Sequence, residues 1–428
     1  MSNLNLLNSP DGNQDDVYPY HQYVRIMQEQ GPLVPIDEHR WMALGHEVVS
    51  TILRDKRFIT MDPVENGVNS AIAGRNRLLQ VFMKPILRVF MNRHKFLSMA
   101  KRWLVMNDPP THYRLRKISE TAFTPKAIRS QRPLIEKVTN DLLDQLEDKD
   151  EVDLIAEFAL PLPIAMIAAI IGIPNEGSVK FNQWSGDLLR GFDQSVDSYD
   201  TVKQAMQSQD EVKEYLTAII REREANPQDD IISIMLEARD NDDEEMYMTD
   251  DEIIANIILL LIAGHETTVN LIGNTMYSLL THPDQYDELK QNPELLSNTI
   301  EESLRFDTPI VTIPRRASED VELAGKQIKK GDHLMMMFYT ANLDENIFED
   351  PLTFDIHREN SKQHLSFGQG IHYCLGAPLA RAEAEIAFGE IMKRFPDMSL
   401  VNPKPPRRSD MSFNAFNGFT ELWVKLNK

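Results

Sequence analysis

Apolar residues recur at three- and four-residue spacing along most of this chain, the period of a helix with one buried face. The spacing predicts helices over Pro133–Asp148, Val152–Ile173, Val202–Glu224 and Asp229–Arg239, with Pro161, Pro163, Pro174 and Pro227 as breaks. A further stretch, Arg77–Trp103, interleaves apolar and basic residues and reads as a surface helix or pair of helices. Thr249, Asp250, Asp251 and Glu252 form an N-terminal capping signal for a long helix that ends near Thr281. Its segment Ile253–Ala263 is almost wholly apolar, so it should pass through the middle of the protein, where a buried cofactor would be met.

After Asp307 the pattern changes. The β-favouring pieces IVTIPRRA, VELAGKQI and HLMMMFYTA, separated by Gly325 and by Lys330-Gly331, predict a small sheet. A helix returns from Pro378 to about Phe395, and the tail SFNAFNGFTELWVKL reads as a hairpin. No internal repeat or low-complexity tract interrupts this order. The expected fold is mainly α, an α+β body with a small β-sheet region, spanning residues 1–428 as one domain.

With 428 residues, 42% of them hydrophobic, the chain can bury a sizeable core. Its 45 basic and 66 acidic residues leave a formal net charge of −21, which speaks against nucleic acid or an anionic membrane as a partner. No basic-then-apolar leader opens the chain, and no uninterrupted apolar run approaches the ~18 residues of a spanning helix, so the expectation is a cytoplasmic protein without a membrane anchor. A single cysteine, Cys374, excludes an internal disulfide and argues against a structural zinc site.

That cysteine lies in Phe367-Gly368-Gln369-Gly370-Ile371-His372-Tyr373-Cys374-Leu375-Gly376, between glycines and directly before a helix. The free N–H groups and positive dipole end of a helix N-terminus favour a thiolate. Gly368, Gly370 and Gly376 allow sharp turns and let a flat ligand approach the sulfur. The alternatives are a buried structural cysteine, which leaves the glycines unexplained, and a Cys374/His372 nucleophilic pair, which has no further catalytic constellation beside it.

The loop resembles that of the cytochrome P450 family, F-G-x-G-x-H-x-C-x-G, at every fixed position. Glu302-Ser303-Leu304-Arg305 resembles the family's E-x-x-R, and Phe354-Asp355-Ile356-His357-Arg358 its F-D-x-x-R; the resemblance makes Glu302, Arg305 and Arg358 structural supports of a haem core. Ala263-Gly264-His265-Glu266-Thr267-Thr268 is similar to A-G-x-(D/E)-T-T on the central helix. There Gly264 would let a flat macrocycle press against the helix, the Thr267 hydroxyl could bond the carbonyl at i−4 and open a groove for oxygen, and Glu266 would be the acid of a proton relay. Asp108-Pro109-Pro110-Thr111-His112-Tyr113-Arg114-Leu115-Arg116 resembles D-P-P-x-H-x-x-x-R, implying that His112 and Arg116 hold haem propionates. Arg315 matches a further propionate-binding arginine; Arg316 beside it is the rival, and the spacing to Asp320 favours Arg315.

The resemblance implies the triangular, helix-rich cytochrome P450 fold. It implies haem b held by Phe367, Gly368, His372, Cys374 and Gly376, with Cys374 on the iron. The implied reaction inserts one oxygen atom from O2 into a C–H or C=C bond of a small hydrophobic molecule, as in soluble bacterial members that oxidise polyketides and other secondary metabolites. The sequence holds no flavin or iron–sulfur segment, so electrons from NAD(P)H would arrive through a separate ferredoxin or flavodoxin and its reductase. Arg102, Arg114, Lys117 and Lys126 form a candidate docking patch for an acidic donor. A peroxygenase of the same fold would dispense with the Glu266–Thr267 relay, and a non-enzymatic haem sensor or electron carrier would need neither relay nor substrate pocket. Pocket residues are expected from Pro63–Val105, from Leu261 and Ala263, from Ile310–Ile313, and from Phe416 and Phe419. None of them carries a substrate signature.

Overall fold

The computed structural model describes residues 18, 20–62, 95–174, 178–192, 199–240, 247–407 and 416–426. Its helices are α1 (His21–Gln30), α2 (His46–Arg54), α3 (Lys95–Ala100), α4 (Thr111–Ser119), α5 (Pro125–Asp144), α6 (Pro161–Ile171), α7 (Ser178–Phe192), α8 (Tyr199–Ala225), α9 (Ile231–Arg239), α10 (Asp250–Thr281), α11 (Pro283–Gln291), α12 (Leu296–Phe306), α13 (Phe338–Ala341) and α14 (Ala377–Arg394).

The long helix α10 begins where its sequence caps it. The Glu252 N–H donates to the Thr249 hydroxyl at 3.2 Å, and the Glu252 carboxylate accepts the Thr249 N–H at 2.9 Å, a reciprocal capping box. From Ile253 to Ile262 every residue is buried, so hydrophobic burial, more than propensity, holds this helix in place. Although no uninterrupted apolar run is long enough, an 18-residue window of α10 reaches a mean hydropathy of 1.5, enough by composition to cross a bilayer; 72% of that window is buried inside the protein. Gly264 lines the cavity and has a second use as well, because a Cβ there would lie 2.8 Å from Ile167. Its missing side chain lets α6 cross α10 closely.

Several boundaries move for physical reasons. Helix α5 starts at Pro125, where the Thr124 side chain accepts the Ala127 N–H, and carries Pro133 inside it. The predicted Val152–Ile173 helix divides into a strand β4 (Glu151–Asp153), a π-helical turn at Ile155–Ala159, and α6. Residues 77–94 of the predicted Arg77–Trp103 helix lie outside the described residues; α3 and a 3-10 turn at Leu104–Met106 occupy its end.

Five strands, β1 (Leu33–Pro35), β2 (Arg40–Ala43), β8 (His333–Met337), β5 (Thr312–Ala317) and β3 (Phe58–Ile59), form the main sheet in that order. β2 runs parallel to β8, and the other pairs are antiparallel. β6 (Val321–Leu323) and β7 (Lys326–Ile328) make a separate two-stranded ribbon. The expected strand HLMMMFYTA turns helical at Phe338, giving α13. The expected C-terminal hairpin is also corrected. β10 (Trp423–Lys425) pairs with β4 and with β9 (Ser399–Leu400), and among the described residues it has no partner inside the tail.

Candidate functional site

Cys374 lies in a loop that its own backbone folds into a cradle. The Cys374 N–H donates to the Phe367 carbonyl at 2.8 Å and the Gly368 N–H to the Leu365 carbonyl at 2.7 Å. Gly370 has φ of 70°, and a Cβ there would fall 2.5 Å from the Leu53 carbonyl oxygen, so only glycine fits this turn against α2. Gly368, also left-handed at φ 67°, has no comparable crowding. Desolvation pushes the Cys374 thiol above its ordinary value; the N–H groups of Gly376 and Ala377 and the charges of Arg116 and Arg381 act in the opposite direction. The helix N-terminus thus acts in the expected direction, lowering the sulfur's pKa, but burial outweighs it.

The sulfur faces a cavity of about 390 Å³ whose other wall is α10. Within an otherwise buried helix, Ala263 is exposed and Gly264 and Thr267 are partly so, because this face opens on the cavity. The Thr267 hydroxyl donates to the Ala263 carbonyl at 3.1 Å. Ile310 and Phe416 close another side and are joined as an isolated bridge. Apolar side chains such as Leu259, Leu271, Phe123 and Ile313 supply most of the remaining lining.

One rim of this cavity is rich in hydrogen-bond donors. His112 is buried and His372 half-buried, their rings 4.2 Å apart, with both nitrogens of His112 and Nε2 of His372 lacking a hydrogen-bond partner. Burial and the neighbouring Arg116 and Arg315 push His112 down to about 4, and burial, Arg315, His112 and Arg116 push His372 down to about 3. Arg315 is buried on the wall and donates to the Pro314 carbonyl at 3.0 Å. Its burial lowers the guanidinium to about 10, with Asp108 opposing. Arg316 is not among the residues that line the cavity. Arg116 lines the rim and donates to the Tyr373 carbonyl at 2.7 Å, beside the cysteine. Asp108 and, 3.7 Å from Arg116, Glu120 are the nearby carboxylates, and neither lines the cavity, so the donors that do are suited to a dianionic ligand.

The sequence matches the family model for cytochrome P450 over residues 80–415. The chain belongs to the cytochrome P450 family. It is 36% identical to cytochrome P450 CYP107DY1 of Priestia megaterium over 92% of each chain. It is 36% identical to the polyketide biosynthesis cytochrome P450 PksS of Bacillus subtilis, over 91% of this chain and 89% of that one. Among solved structures it resembles P450BioI in complex with hexadec-9Z-enoic acid-ligated acyl carrier protein, with a TM-score of 0.82 and 32% identity, covering 96% of this chain and 99% of that one. The mainly helical fold with small sheets is the cytochrome P450 fold, and the family membership makes the protein a monooxygenase that uses haem and O2.

The residues present fit haem. His112 through either ring nitrogen, His372 through Nε2 and the buried Arg315 offer donors of the kind two propionates need, and the exposed Ala263 face of α10 lies across from Cys374. Phe367, Gly368 and Gly376 line the same cavity.

Behind the cysteine loop, the structure brings Glu302, Arg305 and Arg358 together. Arg305 Nε and Nη2 each donate to the Glu302 carboxylate at 2.7 Å, and Arg358 Nε donates to it at 3.1 Å. Other guanidinium N–H groups reach carbonyls of Asn342, Pro351, Thr353, Glu349 and Asp350, so the buried charges are both paired and hydrogen-bonded. Sequence reading missed a second set. Arg381 donates to Glu301 at 2.5 and 2.9 Å, sits 4.4 Å over the Phe367 ring, and shares Glu301 with His364. Its signal was an arginine seven residues after the cysteine, one turn into α14, which places it beside α12.

Other expectations are corrected. Leu261 faces α7, beside Trp184 and Leu188, and does not line the cavity. Phe419 packs on Tyr277 and under Arg407, leaving Phe416 as the tail's contribution. Glu266 is buried off the cavity, with its carboxylate 3.7 Å from His265 Nε2, so it and Thr267 occupy different faces of α10. His265 Nε2 in turn lies 3.1 Å from Ser185 Oγ of α7. Of the candidate docking cations, Arg102 pairs with Asp251 and Arg114 with Glu252, which cancels two of the four charges; Lys117 and Lys126 remain exposed. The Pro63–Val105 pocket contribution falls largely on residues 63–94, outside those described, with Leu104 and Val105 on the cavity wall.

Proposed function

We propose that the protein binds haem b through the Cys374 thiolate and inserts one oxygen atom from O2 into a C–H or C=C bond of a small hydrophobic molecule in secondary metabolism. The observation that carries this reading is the single cavity in which Cys374 faces Thr267 across an apolar space, with His112, His372, Arg116 and Arg315 on one rim. Haem in this site supplies the reductive activation of dioxygen. Everything else is the work of the chain.

Metal binding deprotonates a thiol outright, so burial of Cys374 is compatible with a thiolate ligand. His112 and His372 each bring an N–H for a carboxylate, while Arg315 and Arg116 bring charge. Thr267 commits its only proton to the Ala263 carbonyl and so faces the cavity as an acceptor, able to orient water. Glu266, buried behind the helix beside His265, is the carboxyl group we assign to a proton relay, which its side chain would enter by rotation. The apolar lining excludes charged substrates, and one curated relative's role in polyketide biosynthesis supports a secondary metabolite. Two electrons come from NAD(P)H through a separate ferredoxin or flavodoxin and its reductase, and we place the enzyme in the cytoplasm.

The test is ligation. The reduced protein with carbon monoxide should show the long-wavelength Soret band of thiolate-bound haem, and Cys374→Ser should abolish it. An unchanged band in that variant would refute the assignment.

A further inference from the structure

Two pieces of the cavity wall come from distant parts of the chain: Pro309 and Ile310, just past α12, and Phe416 in the tail. They meet through the Ile310–Phe416 bridge and through the Asn417 N–H, which donates to the Pro309 carbonyl at 2.9 Å. Behind them, off the cavity, lies a buried polar cluster. Arg407 Nη1 donates to Asp307 at 3.0 Å and to Asn417 Oδ1 at 2.9 Å, and Nη2 donates to the other Asp307 oxygen. The Asn417 amide donates to Asp307 at 2.7 Å and to the Thr308 carbonyl at 3.0 Å. Asn274 of α10 donates to the carbonyls of both Asp307 and Asn417, at 2.8 and 3.0 Å. Asp307 and Asn417 are fully buried. A Cβ on Gly418 would lie 2.1 Å from Asn270 Oδ1, so the backbone beside Asn417 is pressed directly onto α10.

The cluster therefore ties the residue after Phe416 to the segment before Ile310 and ties both to the central helix. Replacing a buried ion pair by apolar residues is often neutral for stability, so stability alone does not account for this cluster. We propose that the Asp307–Arg407–Asn417 clamp is a positioning device that makes Ile310 and Phe416 one rigid unit of the cavity wall and thereby sets which ligand shapes the cavity accepts. This rests on reading the cavity as the haem and substrate site.

The experiment uses the haem-loaded protein and two iron-ligating probes, imidazole and the bulkier 4-phenylimidazole, with spectral titration midpoints as the readout. In wild type, the effects of Ile310→Val and Phe416→Leu on the 4-phenylimidazole midpoint should depart from additivity by about 3-fold or more, because residues in one mechanical unit couple. In the Asn417→Ala background the two effects should become additive, while the imidazole midpoint stays within about 2-fold of wild type, inside the small range expected of uncoupled sites. If Asn417→Ala does not fold, Arg407→Lys, which keeps the charge and loses the planar fork, is expected to give the same decoupling. Coupling that persists without the clamp, additivity in wild type, or an equal shift for both probes overturns the proposal. A wild-type protein that gives no imidazole spectrum would instead remove the haem reading itself.

Discussion

Glu383 on α14 is fully buried, and neither carboxylate oxygen has a hydrogen-bond partner. Desolvation alone pushes its carboxyl up to about 8 from an ordinary 4.5. The folded protein therefore keeps this proton up to about pH 8, whereas the unfolded chain gives it up near 4.5. Between those values the native state binds more protons, so stability falls as pH rises. At about 1.4 kcal/mol per pKa unit, the cost is about 3 kcal/mol at pH 7 and levels off at about 5 kcal/mol above pH 8. Glu383→Gln keeps the shape and cannot ionise. Its amide brings its own desolvation cost of about 1–3 kcal/mol, but that cost does not vary with pH. Equilibrium urea unfolding of the haem-loaded wild type and variant, at pH 5, 7 and 8.5, should show the variant gaining on wild type by several kcal/mol across the range, as the titration of a single buried carboxyl requires. Parallel stability profiles would refute the reasoning and mean that Glu383 is ionised or solvated in the native state.

Glu301 should show the opposite sign. Hydrogen bonds from Arg381 and His364 outweigh its burial and hold its carboxyl down to about 2, so its stabilising effect is complete above about pH 4.5 and lost as pH falls through 2. Glu301→Gln should cost about 3 kcal/mol at pH 7 by linkage and little at pH 2; equal costs at both would refute it. Arg315→Ala should lower haem retention measured by dialysis, and Arg316→Ala should not; the reverse pattern would move the role to Arg316. Thr267→Ala should leave haem content unchanged while product formed per NAD(P)H consumed falls and peroxide rises. Full coupling in that variant would make the hydroxyl a packing group.

The parts legible in the sequence were those encoded locally. Thr249 to Glu252 fixes the start of α10 because a capping box needs only four consecutive residues. The cysteine loop was legible because sharp turns and close backbone approach restrict residue type at Gly370. What failed depended on distant partners. Helical spacing at Val152 could not reveal that β10 arrives from the far end of the chain to pair with it. Leu261 and Ala263 are both small or apolar residues on one helix, and which of them meets the cavity depends on the rotation of α10 about its axis, fixed by packing against α6 and α7.

The same distinction explains why only one of three buried charge clusters around α12 was readable. Glu302 finds Arg305 one helical turn away, so sequence spacing alone suggests the pair. Its neighbour Glu301 points from an adjacent face of the helix to Arg381 and His364, and Asp307, at the helix end, reaches Arg407 and Asn417. Each acid serves a different irregular piece of the site: the loop at Glu349–Arg358, the cysteine loop and its helix, and the tail bearing Phe416. These pieces have little regular backbone pairing of their own, so nothing local dictates where they lie. A desolvated carboxylate does dictate it, because its oxygens tolerate few alternative placements of their donors once water is excluded. Helix α12 thus acts as the hub that fixes three loops relative to α10. The cavity's shape follows from charges that never touch it.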